Sequence, residues 1–418
     1  MQDIIFPISD NWWVEGDKAY FCGIVLNAVF CVDMISQKCD LIAWMPESNI
    51  MNFRQNPYCI KRGDQIFCLP GTGQCVWCYD MQQRVWEKIE ISHDEQLYFY
   101  NKTFYRDANG VIWLSEYETG KVLQINLEKK ALEKIHYFPT RCRHIFDVYG
   151  EYIFIQNRLY CIVENTIKCI DLDNDELITY KIPEAKANLF TICYDGTNFW
   201  LSGYCKEIYV WNPEKGMIKV ITDFPKQFGF YHFRTKDEYL DIDCNSYYKV
   251  DDPFFYESVI LGKYIWFISS QSSSILYIDR ETYKVNLIDI KEEQETIDSI
   301  KREFACKYLF EYIRAERYIG IYSTKNQWIF EIDTVELCVK KKNYQLSNGA
   351  VTKIMKAIED DNFQRILEED IRKHNQRIIL REGKDRERIL YAELIKRSVE
   401  RDTKDSLGIG ELIYSTLE

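Results

Sequence analysis

Two cysteines, Cys75 and Cys78, form the only CxxC motif in this sequence. A CxxC pair binds zinc or exchanges disulfides when it lies on a turn, and a structural zinc site also needs a second pair of ligands. Here both cysteines lie inside a short apolar run that reads CVWCY, and side chains three positions apart on a strand point to opposite faces. The motif therefore favours buried core thiols over a metal or redox site.

An acidic run that begins at Asp171 reads DLDNDE and has the residue types of a calcium loop. Such a loop needs glycine at its sixth position and a bidentate glutamate at its twelfth, where this sequence has Glu176 and Ile182. The equivalent positions of the other repeats, described below, are polar as well. We therefore interpret the run as a solvated hairpin turn, and we expect no metal and no other cofactor.

Two of the five histidines could take part in ligand binding or acid–base chemistry. His144 follows Arg143, and His232 follows Tyr231 in a run of aromatic residues. A general base must lie within hydrogen-bond reach of its substrate, and sequence alone does not establish such a distance. The sequence also contains no glycine-rich phosphate-binding loop, no HExxH motif and no GxSxG motif. We therefore predict no catalytic residue, and the motifs favour a protein that is not an enzyme.

The elements that must position these residues form a repeat. Each unit contains short apolar runs separated by turn signals, and its third run ends on an Asp or Asn that we call the anchor residue. Consecutive anchors are separated by 41 to 67 residues. Strand-like runs in units of about 40–50 residues are typical of propeller blades, whereas helical repeats show a 3.6-residue period. The anchors are Asp33, Asp80, Asn126, Asp171, Asn212, Asp279 and Asp333.

Each unit also has the residues that a blade needs to pack. Gly or Asp precedes the second strand, where a tight turn requires a backbone conformation that other residues resist. An aromatic residue in the middle of that strand is large enough to fill the space between neighbouring sheets. Since no blade can bury both faces alone, we expect the units to stack around an axis. The expected second-strand aromatics are Phe67, Trp113, Phe154, Trp200 and Trp266.

The repeat predicts an all-β fold: a seven-bladed β-propeller over residues 1–346, with an α-helical C-terminal extension over residues 347–418. The wide spacing between the fifth and sixth units marks an aromatic insertion at about residues 223–252. From Ser347 onward, apolar residues fall at helical spacing, and Ser347 or Asn348 is the expected N-cap. In this tail, basic residues alternate with acidic ones, a pattern typical of a solvated helix face.

Two units, GVIWLSEYETGKVLQINLEKKALEKI and KYIWFISSQSSSILYIDRETYKVNLIDI, resemble the propeller repeats of the streptogramin-lyase-like, NHL and two-component-regulator sensor group. The resemblance covers the chain before the helical tail, and it implies the propeller architecture. Members of the group include lyases, sensors and scaffolds, so it does not imply one activity. The lyases have a magnesium site and catalytic histidines in their last blades. Residues 258–342 contain no histidine, so we do not expect the lyase activity.

Charge and cysteine content limit the partners and the compartment. The formal net charge of −12 disfavours nucleic acid and anionic membranes, because binding to phosphate needs a positive field. No apolar run approaches the roughly 18 residues of a membrane-spanning helix, and we recognise no secretory signal. The 15 cysteines follow no disulfide framework, which favours a reducing compartment. We therefore expect a cytoplasmic protein without a membrane span or a nucleic-acid partner.

Propellers bind ligands at the loops that surround their axis, so loop residues are the candidate binding residues. They are Arg106, Glu116, Tyr117, Arg143, His144, Tyr204, Tyr231, His232 and Gln271. The leading hypothesis is a non-catalytic scaffold that binds a protein or peptide partner through its funnel face or its helical tail. One alternative is a lyase-like or hydrolase-like propeller enzyme that acts on a small molecule or glycan in the axial funnel. Another is a ligand sensor whose tail reports occupancy.

Overall fold

Short strands with buried central residues dominate the fold, as the apolar runs predict. In this computed structural model, the described part of the chain contains 29 strands and one helix. The structure describes residues 7, 9, 11–24, 26–46, 55–91, 99, 104–106, 110–116, 121–137, 149–225, 228, 253–269, 272, 274–290, 308–323 and 328–358.

The strands form seven sheets, each of which contains four strands that are consecutive in the sequence, and one sheet has a fifth strand from the end of the last blade. Blades one to three contain β1 (Trp13–Glu15), β2 (Lys18–Cys22), β3 (Ala28–Asp33), β4 (Lys38–Trp44), β5 (Tyr58–Arg62), β6 (Gln65–Leu69), β7 (Cys75–Asp80), β8 (Val85–Glu90), β9 (Phe104–Arg106), β10 (Val111–Ser115), β11 (Lys121–Asn126) and β12 (Ala131–Tyr137). Blades four to seven contain β13 (Tyr149–Ile155), β14 (Arg158–Val163), β15 (Thr166–Asp171), β16 (Glu176–Lys181), β17 (Leu189–Tyr194), β18 (Phe199–Gly203), β19 (Ile208–Asn212), β20 (Gly216–Ile221), β21 (Phe255–Leu261), β22 (Tyr264–Ser269), β23 (Ser274–Asp279), β24 (Val285–Asp289), β25 (Tyr308–Arg314), β26 (Tyr318–Ser323), β27 (Trp328–Asp333) and β28 (Cys338–Lys342). The fold is therefore the predicted seven-bladed β-propeller.

Contacts within the chain define two compact units. One comprises residues 1–89, 325–329 and 341–418, and the other comprises residues 90–324 and 330–340. In the first unit, a core between blades one and two joins Cys22 to Cys68 and Trp77. In the second, separate cores join blade three to four, four to five, and five to six. Each core draws on two sheets, as expected when one blade cannot bury both of its faces.

The two cysteines of the CxxC motif lie in β7, and both are buried and form no disulfide. Cys75 belongs to the core between blades one and two. Within the described residues, no group of three or more His, Cys, Asp or Glu side chains is arranged to hold a metal ion. The burial of both side chains, at 6% and 1% exposed, agrees with the interpretation of this motif as core thiols.

The anchor residues cap the turns between the third and fourth strands. In blade two, Oδ1 of Asp80 accepts the backbone N–H groups of Gln82 and Gln83, at 2.9 and 2.8 Å. Arg84, the fourth residue after the anchor, has a φ of 57°, in the left-handed region. Every other blade has a residue of positive φ at this position: Gln37, Lys130, Asp175, Gly216, Tyr283 and Leu337. The anchor thus marks a turn whose shape the sequence repeats seven times.

We expect opposite effects from two substitutions in this turn. Asp80→Ala removes the acceptor of two N–H groups and should lower the free energy of unfolding by about 1 kcal/mol. Arg84→Gly removes the cost of holding a non-glycine residue in the left-handed conformation, and should raise the free energy of unfolding by up to about 1 kcal/mol. Urea unfolding followed by tryptophan fluorescence measures both changes. Equal effects of the same sign would contradict this account of the turn.

After the last blade, the chain adds a fifth strand to blade one. Strand β29 (Gln345–Leu346) pairs in parallel with β4, and helix α1 (Asn348–Ile358) follows it. Oγ of Ser347 accepts the N–H of Ala350 at 3.1 Å, so the predicted N-cap is confirmed. Nζ of Lys353 donates to the carbonyl of Leu41 at 2.9 Å and ties the helix to β4.

No helix among the described residues is long and apolar enough to span a membrane.

An ion pair in blade seven makes part of the stability dependent on pH. Arg317 donates two hydrogen bonds to Asp333, at 2.9 and 2.6 Å, and thereby lowers the pKa of that carboxyl from 3.8 to about 2. A carboxyl with a lowered pKa in the folded state stabilises fully above its unfolded pKa of about 4, and loses that contribution as the pH falls to about 2. We expect Asp333→Asn to unfold at lower urea concentration than the wild type at pH 7. The two urea midpoints should converge between pH 4 and 2, and a difference that persists at pH 2 would contradict the assignment.

Blade four departs from the predicted pattern. Phe154 was expected in the second strand, but it lies in the first strand, β13. The chain turns after Phe154 through Gln156, whose φ is 53°. Gly150, the glycine that precedes the predicted second strand, lies inside β13 and does not supply the turn. The prediction was wrong because a non-glycine residue adopts the left-handed conformation here. Phe154 still packs between sheets, since its ring stacks on Trp113 of blade three at 4.7 Å. Most of the aromatic insertion at 223–252 and the tail beyond residue 358 lie outside the described residues.

Candidate functional site

The two ends of each blade differ in the length of their connections. At the turn end, the first strand joins the second, and the third joins the fourth, through two to five residues. At the loop end, the second strand joins the third. The fourth strand also ends there, and 7 to 33 residues connect it to the first strand of the next blade. Long loops carry binding residues more often than tight turns do. The loop end is therefore the place to look for a site.

In blades five and six, the first strand begins with a β-bulge at the loop end. The register between β17 and β18 skips Phe190, and the register between β21 and β22 skips Tyr256. A bulge inserts an extra residue that has no partner across the ladder, and it redirects a side chain next to a functional site in many proteins. Both extra residues are aromatic and partly exposed.

Phe190, Tyr256 and Tyr204 form a cluster that we name the aromatic triad. The rings of Phe190 and Tyr256 lie 5.6 Å apart between centroids, at an angle of 82°. The rings of Phe190 and Tyr204 lie 6.3 Å apart, at an angle of 85°. Phe190 is thus the central ring, and it stands edge-to-face with both neighbours. All three residues are partly exposed, although the hydroxyl of Tyr204 is buried, so the triad presents part of its aromatic surface at the loop end.

The backbone at Gly203 places Tyr204 in the triad. Tyr204 donates its N–H to the carbonyl of Asn188 at 2.9 Å, and Phe254 donates its N–H to the carbonyl of Gly203 at 2.9 Å. A Cβ atom at Gly203 would lie 2.0 Å from the Asn188 oxygen. The loop therefore approaches the neighbouring backbone at a distance that glycine alone permits.

A polar cluster follows the triad in the same loop of blade five. The buried carboxylate of Glu207 pairs with Lys186 and accepts a hydrogen bond from the hydroxyl of Tyr209. The thiol of Cys205 lies 3.4 Å from that hydroxyl. Lys186 also donates its backbone N–H to Tyr209 at 3.2 Å. The four side chains thus form one network within the protein.

The network does not have the protonation states of a nucleophilic site. Burial raises the pKa of Cys205 to about 11, so its thiol keeps its proton at neutral pH. Burial, together with Cys205, also raises the pKa of Tyr209. A thiolate nucleophile needs a lowered pKa instead. We therefore interpret the cluster as a support for the loop that carries Tyr204.

The structure describes three of the nine residues predicted from sequence as binding residues. Tyr204 lies in the aromatic triad. Glu116 follows β10 at the loop end of blade three, but its side chain is buried, with 1% of its surface exposed. Arg106 ends β9 and pairs with Val111, so its backbone lies at the turn end of that blade. Tyr117, Arg143, His144, Tyr231, His232 and Gln271 lie outside the described residues.

Sequence reasoning missed Phe190 and Tyr256. Each is the second residue of a first strand, and no run of residue types distinguishes a bulged position from a regular one. The available signal was an aromatic residue shortly before the second strand in consecutive units. Loop residues, aromatic and charged, were favoured instead, because loops carry binding groups more often than strands do.

Comparisons with known proteins support the fold. The sequence matches no protein-family model and no curated protein sequence. A computationally designed protein, Ika8, superimposes with a TM-score of 0.52 at 6% identity over 82% of this chain and 92% of its own. A catalytically inactive virginiamycin B lyase from Staphylococcus aureus, solved with quinupristin, superimposes with a TM-score of 0.53 at 11% sequence identity. The match covers 79% of this chain and 97% of the lyase chain. The dihydro-heme d1 dehydrogenase NirN, in complex with DHE, superimposes with a TM-score of 0.50 at 12% sequence identity. The match covers 81% of this chain and 68% of the NirN chain.

These likenesses include a streptogramin-lyase-type propeller, so the predicted resemblance in architecture is confirmed. At 6 to 12% identity they establish the fold and no activity. The chain has the fold of a seven-bladed β-propeller.

Proposed function

We propose that this chain is a non-catalytic propeller that binds a peptide segment of a partner protein at the loop end of blades five and six. The observation that carries the proposal is the aromatic triad, with its three partly exposed rings on adjacent elements. Aromatic side chains supply large contact area at low cost in conformational entropy, and they are enriched in binding surfaces.

The polar cluster gives less support to an enzyme. Glu207 is neutralised by Lys186, and the thiol of Cys205 has a raised pKa. A catalytic acid or nucleophile needs a group whose pKa lies near the working pH, or one activated by a neighbouring base. A peptide partner requires neither. The binding proposal therefore requires no activated acid or nucleophile, whereas the lyase-like or hydrolase-like alternative does.

The cysteines support a cytoplasmic location. All 12 cysteines in the described residues are free thiols, and most of them are buried. Secreted proteins of this cysteine content normally carry disulfides. The division of the chain into a propeller over 1–346 and a helical extension over 347–418 also remains a proposal, to which α1 contributes the first helix.

A peptide display library tests the binding proposal. The full-length protein is panned against random 12-residue peptides, and the enriched peptides are assayed on the wild type and on Phe190→Ala/Tyr256→Ala. The proposal predicts enriched peptides that bind the wild type and lose at least about tenfold in affinity on the double variant. The control is Ile35→Ala, because Ile35 is an apolar residue, 72% exposed, at the turn end of blade one. No enrichment, or equal affinity for the wild type and the double variant, would overturn the proposal.

A further inference from the structure

We infer that the aromatic triad recognises a cationic side chain, the ammonium group of a lysine carried by the partner peptide. This inference rests on the proposed function and names the chemistry of the bound residue. The face of an aromatic ring carries partial negative charge, so it attracts an ammonium group within about 6 Å of the ring centroid.

The arrangement of the rings suits a small cation. Phe190 stands nearly perpendicular to both Tyr204 and Tyr256, at 85° and 82°. Perpendicular rings on adjacent elements present faces in different directions around a common corner, as the walls of an aromatic cage do.

The charge of the protein also favours a cation. The chain carries a formal net charge of −12, which attracts a basic partner at long range. Glu257 directly follows Tyr256 in β21 and is partly exposed. Two basic residues lie at the same end of blade five: Lys186 is paired with Glu207, and the ammonium group of Lys206 lies over Phe224 and Phe228. An acidic peptide would therefore meet less complementary charge than a basic one.

The same loop already holds an ammonium group on aromatic rings. Nζ of Lys206 lies 5.7 Å from the ring centroids of both Phe224 and Phe228, and it donates to the carbonyl of Phe228 at 3.5 Å. This contact within the protein shows that the geometry of two rings and one carbonyl accommodates a lysine here. Tyr204 of the triad lies two residues before Lys206 in the same loop, so an ammonium group on aromatic rings already has a precedent beside the triad.

Choline and 3,3-dimethylbutan-1-ol test the inference, because they have the same shape and differ in charge. Their dissociation constants for the full-length protein are measured by ligand-observed NMR at low ionic strength. We expect choline to bind about tenfold more tightly than the neutral alcohol, since a cation over several rings gains a contact that the alcohol lacks. Equal affinities, or no binding of choline, would overturn the inference.

Three variants separate the role of the rings from that of apolar contact. Tyr256→Phe keeps the ring and should keep the preference for choline, whereas Tyr256→Leu keeps the apolar bulk and should abolish it. Ile35→Ala, at the turn end of blade one, should leave both dissociation constants unchanged. A preference for choline that survives Tyr256→Leu together with Phe190→Leu would also overturn the inference.

The two proposals can fail separately. If display yields peptides that require Phe190 and Tyr256, but choline and its neutral analogue bind equally, the binding function stands and the cationic ligand is wrong. If display yields no peptide that depends on the triad, the proposed function itself is wrong.

Discussion

Replacing Glu331 by alanine is expected to lower the free energy of unfolding by about 3–5 kcal/mol. The residue is 4% exposed and accepts hydrogen bonds from Nε and Nη2 of Arg314, at 3.0 to 3.2 Å. The hydroxyl of Tyr312 donates to the same carboxylate at 3.2 Å. Removal of the carboxylate leaves a largely buried guanidinium without this acceptor, and the desolvation of that charge is then uncompensated. Urea unfolding at pH 7, followed by circular dichroism, measures the loss.

An exposed ion pair in the same blade provides the control for Glu331. Glu336 lies 3.6 Å from Arg317, and its side chain is 68% exposed. Because exposed pairs are screened by solvent, Glu336→Ala should cost less than about 1 kcal/mol. A loss below about 1 kcal/mol for Glu331→Ala as well would show that the carboxylate of Glu331 does not hold blade seven together.

Replacing Gly203 by alanine is expected to lower the free energy of unfolding by about 3 kcal/mol and to disturb the aromatic triad. The added Cβ would lie 2.0 Å from the carbonyl oxygen of Asn188 and 2.6 Å from Cα of Leu189. Both atoms belong to the backbone, so relief requires the loop to move away from β17. The hydrogen bond from the N–H of Tyr204 to the carbonyl of Asn188 would then lengthen, and the ring of Tyr204 would move away from the ring of Phe190.

Gly349→Ala is the matched control, because the substitution is the same and the surroundings are open. Its nearest neighbour would be Oγ of Ser347 at 3.8 Å, which is an ordinary contact. Alanine in a helix is more favourable than glycine by up to about 1 kcal/mol, so this variant should be slightly stabilised. If Gly203→Ala unfolds at the wild-type urea concentration, the close approach at residue 203 is wrong.

The sequence predicts the fold well because a blade repeats its turn chemistry. An anchor such as Asp279 accepts the N–H groups of Glu281 and Thr282, at 3.1 and 3.0 Å, and the same residue types recur at the same position in every unit. Blade four was assigned incorrectly because Gln156 adopts a positive φ without being glycine. Sequence patterns detect the residues that prefer a turn, but they miss those that a fold forces into one.

The site was less predictable than the fold. Tyr204 was predicted because it follows a second strand, a position that the repeat fixes. Glu116 follows a second strand too, but it is buried, since the loop length alone does not determine which side chains face solvent. Phe190 and Tyr256 depend on bulges whose position is set by packing between neighbouring blades. Such tertiary effects have no local sequence signal.

Cross-linking gives the most direct test of where the partner peptide binds. A displayed peptide that carries a benzophenone group is irradiated in complex with the full-length protein, and the cross-linked residues are identified by mass spectrometry. We predict cross-links within residues 186–206 and 253–257, which surround the aromatic triad. Cross-links confined to turn-end residues such as 172–175 and 213–215, or to blades other than five and six, would contradict the assignment of the site.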